Sequence, residues 1–228
     1  MEKVVCIHQP EHLPWTGLIH KINISDTYIV LDNVQFKKNY FENRNKIYSQ
    51  QGWQWLTVPI KMQGHIEKKF YEMEMIPNWK KKYLSTLFLN YKKAPYFPDL
   101  EKILSLIEEY NGFNLADFNL LLLKQILADL NIETEVIRAK DMNAMGQKSE
   151  LLVYLLNKVG ATEYIVGKSG FDYMDLKLFK ENEIRLTAHQ FSHPKYTPFN
   201  FQEVSDFPSI LDVIANLGKR KVEQIIKS

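Results

Sequence analysis

The sequence predicts an α/β protein: a Rossmann-like, mostly parallel sheet with helices on both faces, a small antiparallel hairpin, and a helical insertion over residues 78–112. Three observations lead there. The chain opens on a short apolar run, Val4 to Ile7, that turns polar at His8-Gln9 and passes through two prolines into a helix. Its second half repeats helix then strand three times, the pattern of parallel strands joined by crossover helices. Between them lies a stretch with strand-like alternation and close turns, as an antiparallel pair requires. With 228 residues and 45% hydrophobic content, one domain spanning 1–228 is expected.

Pro10 and Pro14 bracket the first turn, because proline fixes its own φ and biases the preceding residue away from helix. Trp15, Leu18, Ile19 and Ile22 then share one helical face. Thr27 to Leu31 is β-branched and aromatic and reads as the second strand, ending in Asp32-Asn33. Val34 to Ile47 shows no clean period and reads as loop with some helical turns. Trp53 to Ile60 reads as a strand whose tryptophans join the core, with Pro59 near its end. Phe70 to Met75 alternates again and is its expected hairpin partner. Trp79 to Tyr91 turns helical, Asp99 is placed to cap a second helix, and Leu115 to Leu130 is apolar nearly all round, hence central. The three later strands are Glu135 to Arg138, Glu163 to Val166 and Ile184 to His189, separated by helices over Glu150–Val159 and Met174–Lys180. Two short helices, Ser209 to Ala215 and Lys219 to Lys227, close the chain.

The 29 Lys and Arg are nearly matched by 27 Asp and Glu, so the net charge of +2 argues against a dedicated nucleic-acid binder. The run Lys80-Lys81-Lys82 reads as a solvated helix face. A single cysteine, Cys6, permits no internal disulfide and fits a reducing compartment. No signal-like segment and no membrane-length apolar stretch is visible, so a cytoplasmic protein is expected.

Candidate chemistry gathers at strand ends. The first strand delivers His8 and Gln9, the second Asp32 and then Gln35. The strand at 163–166 leads to Gly167-Lys168-Ser169-Gly170, Asp172 and Tyr173, and the last leads to His189 and His193. If these strands are parallel neighbours, all four groups meet on one edge, where open α/β sheets bind ligands. Asn43 and Arg44 sit in an amide-rich stretch, where Arg44 either clamps a phosphate or carboxylate or ties the loop to the body. His8 taken alone reads more readily as bonded to a neighbouring carbonyl, and His12, His20 and His65 read as surface residues. The amides of residues 167–170 and Lys168 suit a phosphate, although the longer loop of a Walker motif is missing. His189, His193 and Asp32 match no metal-ligand spacing, so no metal site is predicted, and nothing names a cofactor. A buried, inert thiol is expected for Cys6.

The motifs His8-Gln9-Pro10, Leu13-Pro14-Trp15, Gly17, His20-Lys21, Leu31-Asp32-Asn33-Val34-Gln35-Phe36, Asn43-Arg44, Trp55-Leu56-Thr57-Val58-Pro59, Ala94-Pro95-Tyr96 and His193-Pro194 with Tyr196 resemble the WbqC-like family over nearly the whole chain. The sequence departs from the family pattern at Glu11-His12 and at Asn200-Phe201. The resemblance implies a bacterial surface-polysaccharide or glycan pathway (O-antigen among them). It implies acyl or aminoacyl transfer to the amine of an amino sugar carried on a nucleotide. On that reading His8 is the general base, Asp32 orients His8 or the substrate, Gln9, Gln35 and Asn43 read sugar hydroxyls, and Arg44 and Lys168 hold phosphate. Two alternatives stand beside it: nucleotidyl or adenylyl transfer at the same edge, and a non-catalytic binding protein of a glycan pathway.

Overall fold

Five strands pair side by side and run in the same direction: β1 (Val4–His8), β2 (Thr27–Val30), β5 (Glu135–Arg138), β6 (Glu163–Val166) and β7 (Arg185–Ala188). Two more, β3 (Arg44–Ser49) and β4 (Gly52–Thr57), form a separate antiparallel hairpin. These come from a computed structural model that describes residues 2–202 and 207–228. The parallel sheet has the order β5-β2-β1-β6-β7. The chain thus builds outward from β1 through β2 to β5, then returns to the other side of β1 for β6 and β7. That reversal makes the β1/β6 boundary the topological switch point, whose carboxyl end opens a crevice.

Alternation along the strands sends side chains to two faces. Cys6, Tyr28, Val30 and Ile165 enter the larger core, with α1 (Thr16–Asn23), α4 (Leu115–Asp129), α7 (Ile210–Leu217) and α8 (Lys219–Ile226). The same core takes Tyr83, Leu87 and Tyr91 of α2 (Lys80–Tyr91) and Ile103 and Ile107 of α3 (Glu101–Glu109). Val5, Ile7, Ile29, Tyr164 and Val166 face the opposite way, against α5 (Lys148–Lys158) and α6 (Leu176–Glu181). Helices therefore cover both faces, which is why β2 and β6 are buried along their whole length. Among the described residues no helix is long and apolar enough to cross a membrane.

The structure corrects four expectations. The partner of β4 is β3, not residues 70–75; Phe70–Glu72 winds into a single 3-10 turn, and Ile60 and Met75 keep one isolated bridge. The β3 pattern was obscured by asparagine. Asn45 is 1% exposed and its amide donates to the Leu13 carbonyl, so a polar side chain fills an inward strand position. Trp53 and Trp55 do not join the core: Trp53 is exposed, with the Lys46 ammonium 4.7 Å from its ring, and the Arg44 guanidinium lies 4.1 Å from that of Trp55. Asp99 caps a different helix. It sits in a 3-10 turn ahead of α3, and its Oδ2 accepts the Lys219 amide at the start of α8. Finally His12, expected at the surface, is fully buried.

Candidate functional site

At the carboxyl end of β1, beside the switch point, a cavity of about 470 Å³ opens. The end of β1 contributes Ile7, His8, Gln9 and Glu11; the segment after β2 contributes Leu31, Val34, Gln35, Lys37, Tyr40, Phe41 and Glu42. Leu151 and Leu152 of α5, Tyr164 of β6, and Ser169 and Tyr173 beyond it complete the wall. An apolar lining with a few convergent polar groups is the usual make-up of a small-molecule site.

His8 Nδ1 lies 2.8 Å from the Gln9 carbonyl, to which it donates. That bond fixes the tautomer and leaves the Nε2 lone pair free, 3.9 Å from a carboxyl oxygen of Glu11. Burial, and next the Lys21 ammonium, push the His8 imidazole down to about 4. Glu11 has its second oxygen buried without a hydrogen-bond partner, and burial pushes its carboxyl up to about 8. Glu42 is 1% exposed; its Oε2 accepts the Lys37 amide at 2.9 Å while Oε1 is buried with no partner. Burial carries Glu42 up to about 7. Near neutral pH the cavity therefore holds an uncharged imidazole and two carboxyls poised to ionise. Lys21 of α1 reaches under β1 and donates to the Ile7 carbonyl at 3.3 Å, and its burial pushes its ammonium pKa down.

The loops carrying the two glutamates are braced from behind. His12 lies between Asn119 of α4, at Nδ1 (2.9 Å), and the Tyr83 hydroxyl of α2, at Nε2. Asn119 donates to the Glu42 carbonyl at 2.7 Å, and the His12 amide donates to the Phe41 carbonyl at 2.8 Å. One buried histidine thus joins the Glu11 loop, the Glu42 loop and two helices.

Of the candidates drawn from the sequence, His8, Gln9, Gln35 and Tyr173 line the cavity. Asp32 does not. It is fully buried, with Oδ2 on Arg138 Nε at 2.6 Å and Oδ1 on the Lys140 amide at 3.0 Å, so it ties the ends of β2 and β5 together. Asn43 is buried and donates to the Val58 carbonyl, and Arg44 turns outward onto Trp55 and the Asn39 carbonyl. Lys168 and Asp172 are exposed on the turn after β6, where the Gly170 amide is bound to the Gly167 carbonyl at 2.8 Å. A Cβ on Gly170 would meet Val166 at 2.4 Å, so that glycine serves the close return of the turn over the strand. His189 and His193 lie against α1, not in the cavity. His189 Nε2 is 2.9 Å from His20 Nδ1, and His193 Nδ1 is 2.8 Å from the Thr16 hydroxyl. Among the described residues no three His, Cys, Asp or Glu side chains come together as metal ligands.

Glu11, Glu42, Lys37 and Lys21 escaped sequence reasoning. Charged residues, in loops or, as with Lys21, on a short helix, read as solvated; the one available signal was Glu11 itself, three residues past His8 and held between two prolines.

The model of the WbqC-like protein family matches residues 9–224. The chain belongs to this family. It is also similar to an uncharacterised protein of Mycobacterium tuberculosis (strain ATCC 25618 / H37Rv), Rv1507c. The two are 33% identical over 220 residues, which is 95% of this chain and 94% of the relative. No solved structure matches.

Proposed function

We propose that this WbqC-like protein is a transferase of bacterial glycan biosynthesis that acylates or aminoacylates the amine of an amino sugar carried on a nucleotide. The observation that carries the reading is that Glu11 and Glu42, each with a buried carboxyl oxygen that lacks a hydrogen-bond partner, line one cavity beside a neutral His8. An unpaired buried carboxyl is costly unless a ligand completes it. An amine enters water-side as an ammonium, and two carboxyls that ionise on its arrival hold it and take its charge. One ammonium proton passes to the Glu42 carboxylate, and the free amine nitrogen attacks the donor's acyl carbon. The N–C bond forms, the bond to the donor's leaving group breaks, and one of the nitrogen's two protons passes to His8 Nε2 while the other stays on the amide. Glu11, 3.9 Å away, stabilises the imidazolium that results. Gln9 and Gln35 offer amides to sugar hydroxyls, and Tyr40 and Tyr173 offer ring faces at the mouth.

The test supplies UDP-glucosamine with acetyl coenzyme A or a glycyl thioester and follows the N-acylated sugar by mass spectrometry. His8→Ala, with folding checked by circular dichroism, is expected to lower kcat by about 10²–10⁴-fold. Unchanged turnover in that variant removes His8 from the mechanism.

A further inference from the structure

A second cavity, of about 570 Å³, adjoins the first and shares Val34, Gln35, Lys148 and Leu151 with it. The two cavities are therefore immediate neighbours. The geometry points to this second chamber as the seat of a diphosphate group, held by Lys68, Lys69 and Lys148. This inference rests on the proposed function for the order of the ligand's parts, amine inward and diphosphate outward, but not for the binding itself.

Three lysines from two distant segments line the chamber, against one carboxylate, Glu67. Among the described residues none of the three forms an ion pair; Lys69 has only the Tyr71 ring, 5.9 Å from its ammonium. Like charges lining one concave space repel, and a dianion that bridges them removes the repulsion. The segment bearing Lys68 and Lys69 is held in place: Gln35 Nε2 donates to the Ile66 carbonyl at 2.7 Å, and Gln35 and Lys69 form an antiparallel bridge. Lys148 is held at φ +50, a left-handed conformation unusual for a side-chain-bearing residue, at the junction of the two chambers. Asn33 also lines the chamber, and its Oδ1 is buried with no hydrogen-bond partner. A monoanion such as a carboxylate would leave charge uncompensated; two linked phosphates match three ammoniums.

Isothermal titration of the full chain with inorganic pyrophosphate, UDP and acetate at low ionic strength tests this. Pyrophosphate and UDP are expected to bind, acetate is not, and added salt weakens both. Lys68→Ala combined with Lys148→Gly, which suits the positive φ, is expected to weaken pyrophosphate by about tenfold or more. The exposed single change Lys148→Gln provides a second variant should the first fold poorly, with the same direction. No heat from pyrophosphate at millimolar concentration, or equal affinity in wild type and variants, overturns the site. Pyrophosphate binding lost in the variants supports it even where no transfer to amines is detected, so the two readings fail separately.

Discussion

Glu11 is the residue on which stability and function oppose each other most directly. Its carboxyl is held near 8 in the folded protein, chiefly by burial, against an ordinary value of 4.5. Unfolding lets it ionise, so between those two values the unfolded state carries fewer protons and folding stability falls as pH rises. Glu11→Gln removes that penalty. The variant is expected to be more stable than wild type at pH 8, by on the order of a few kcal/mol, and equal to it near pH 4.5. Urea melts at the two pH values check this. The same variant loses turnover, since glutamine neither ionises against an ammonium nor stabilises a protonated His8. A glutamate whose removal stabilises the fold and stops the reaction is there for chemistry. The local sequence gives only its place, three residues past His8 and between two prolines; the strand end exposes His8 and Gln9 as candidates, whereas the cavity around Glu11 is completed by residues 31–42, distant in the chain.

Strand ends position the site, and Asp32 shows how. The β2 and β5 ends are joined by its carboxylate on Arg138 Nε and the Lys140 amide, with Arg138 also bound to Asp117. Asp32→Ala leaves Arg138 Nε and the Lys140 amide without their acceptor while Arg138 keeps Asp117, and is expected to cost roughly 1–3 kcal/mol, read as a fall in Tm. Turnover per folded molecule should stay within a fewfold of wild type, because neither cavity is lined by Asp32. The parallel elements were the legible ones. Glu135–Arg138 and Glu163–Val166 occupy the residues that β-branched, apolar runs between helices indicate. The hairpin was legible on one strand only, since β3 places Asn45 where alternation leads one to expect an apolar residue. Its amide is satisfied by backbone carbonyls across a sequence separation of 32 residues, a bond no local pattern predicts.

Across the whole molecule, buried histidines and buried carboxyls set opposing slopes of stability against pH. His8, His12, His189 and His193 are each held near 4, mainly by burial. Their unfolded forms protonate first on acidification, so stability rises with pH from about 4 to about 6.5. Glu11 and Glu42 work the other way up to about 8 and 7. Four histidines outweigh two carboxyls below pH 6.5, and only the carboxyls act above it. Stability measured by urea midpoints should therefore peak between about pH 6 and 7 and decline on both sides. Parallel pairing and the edge to which the polar strand ends point follow from the helix–strand alternation, whereas the strand order and the switch point come only from the structure. Which side chains meet there depends on the 31–43 segment and its brace through His12 and Asn119, contacts that join residues far apart in the chain. The central claim is that Glu11 and Glu42 receive an ammonium. Titrating UDP-glucosamine at pH 7 in two buffers of different ionisation enthalpy measures it. The account predicts release of about one proton per ligand bound, absent with UDP-N-acetylglucosamine and lost in Glu11→Gln; equal heats in both buffers, or a release that survives Glu11→Gln unchanged, would contradict it.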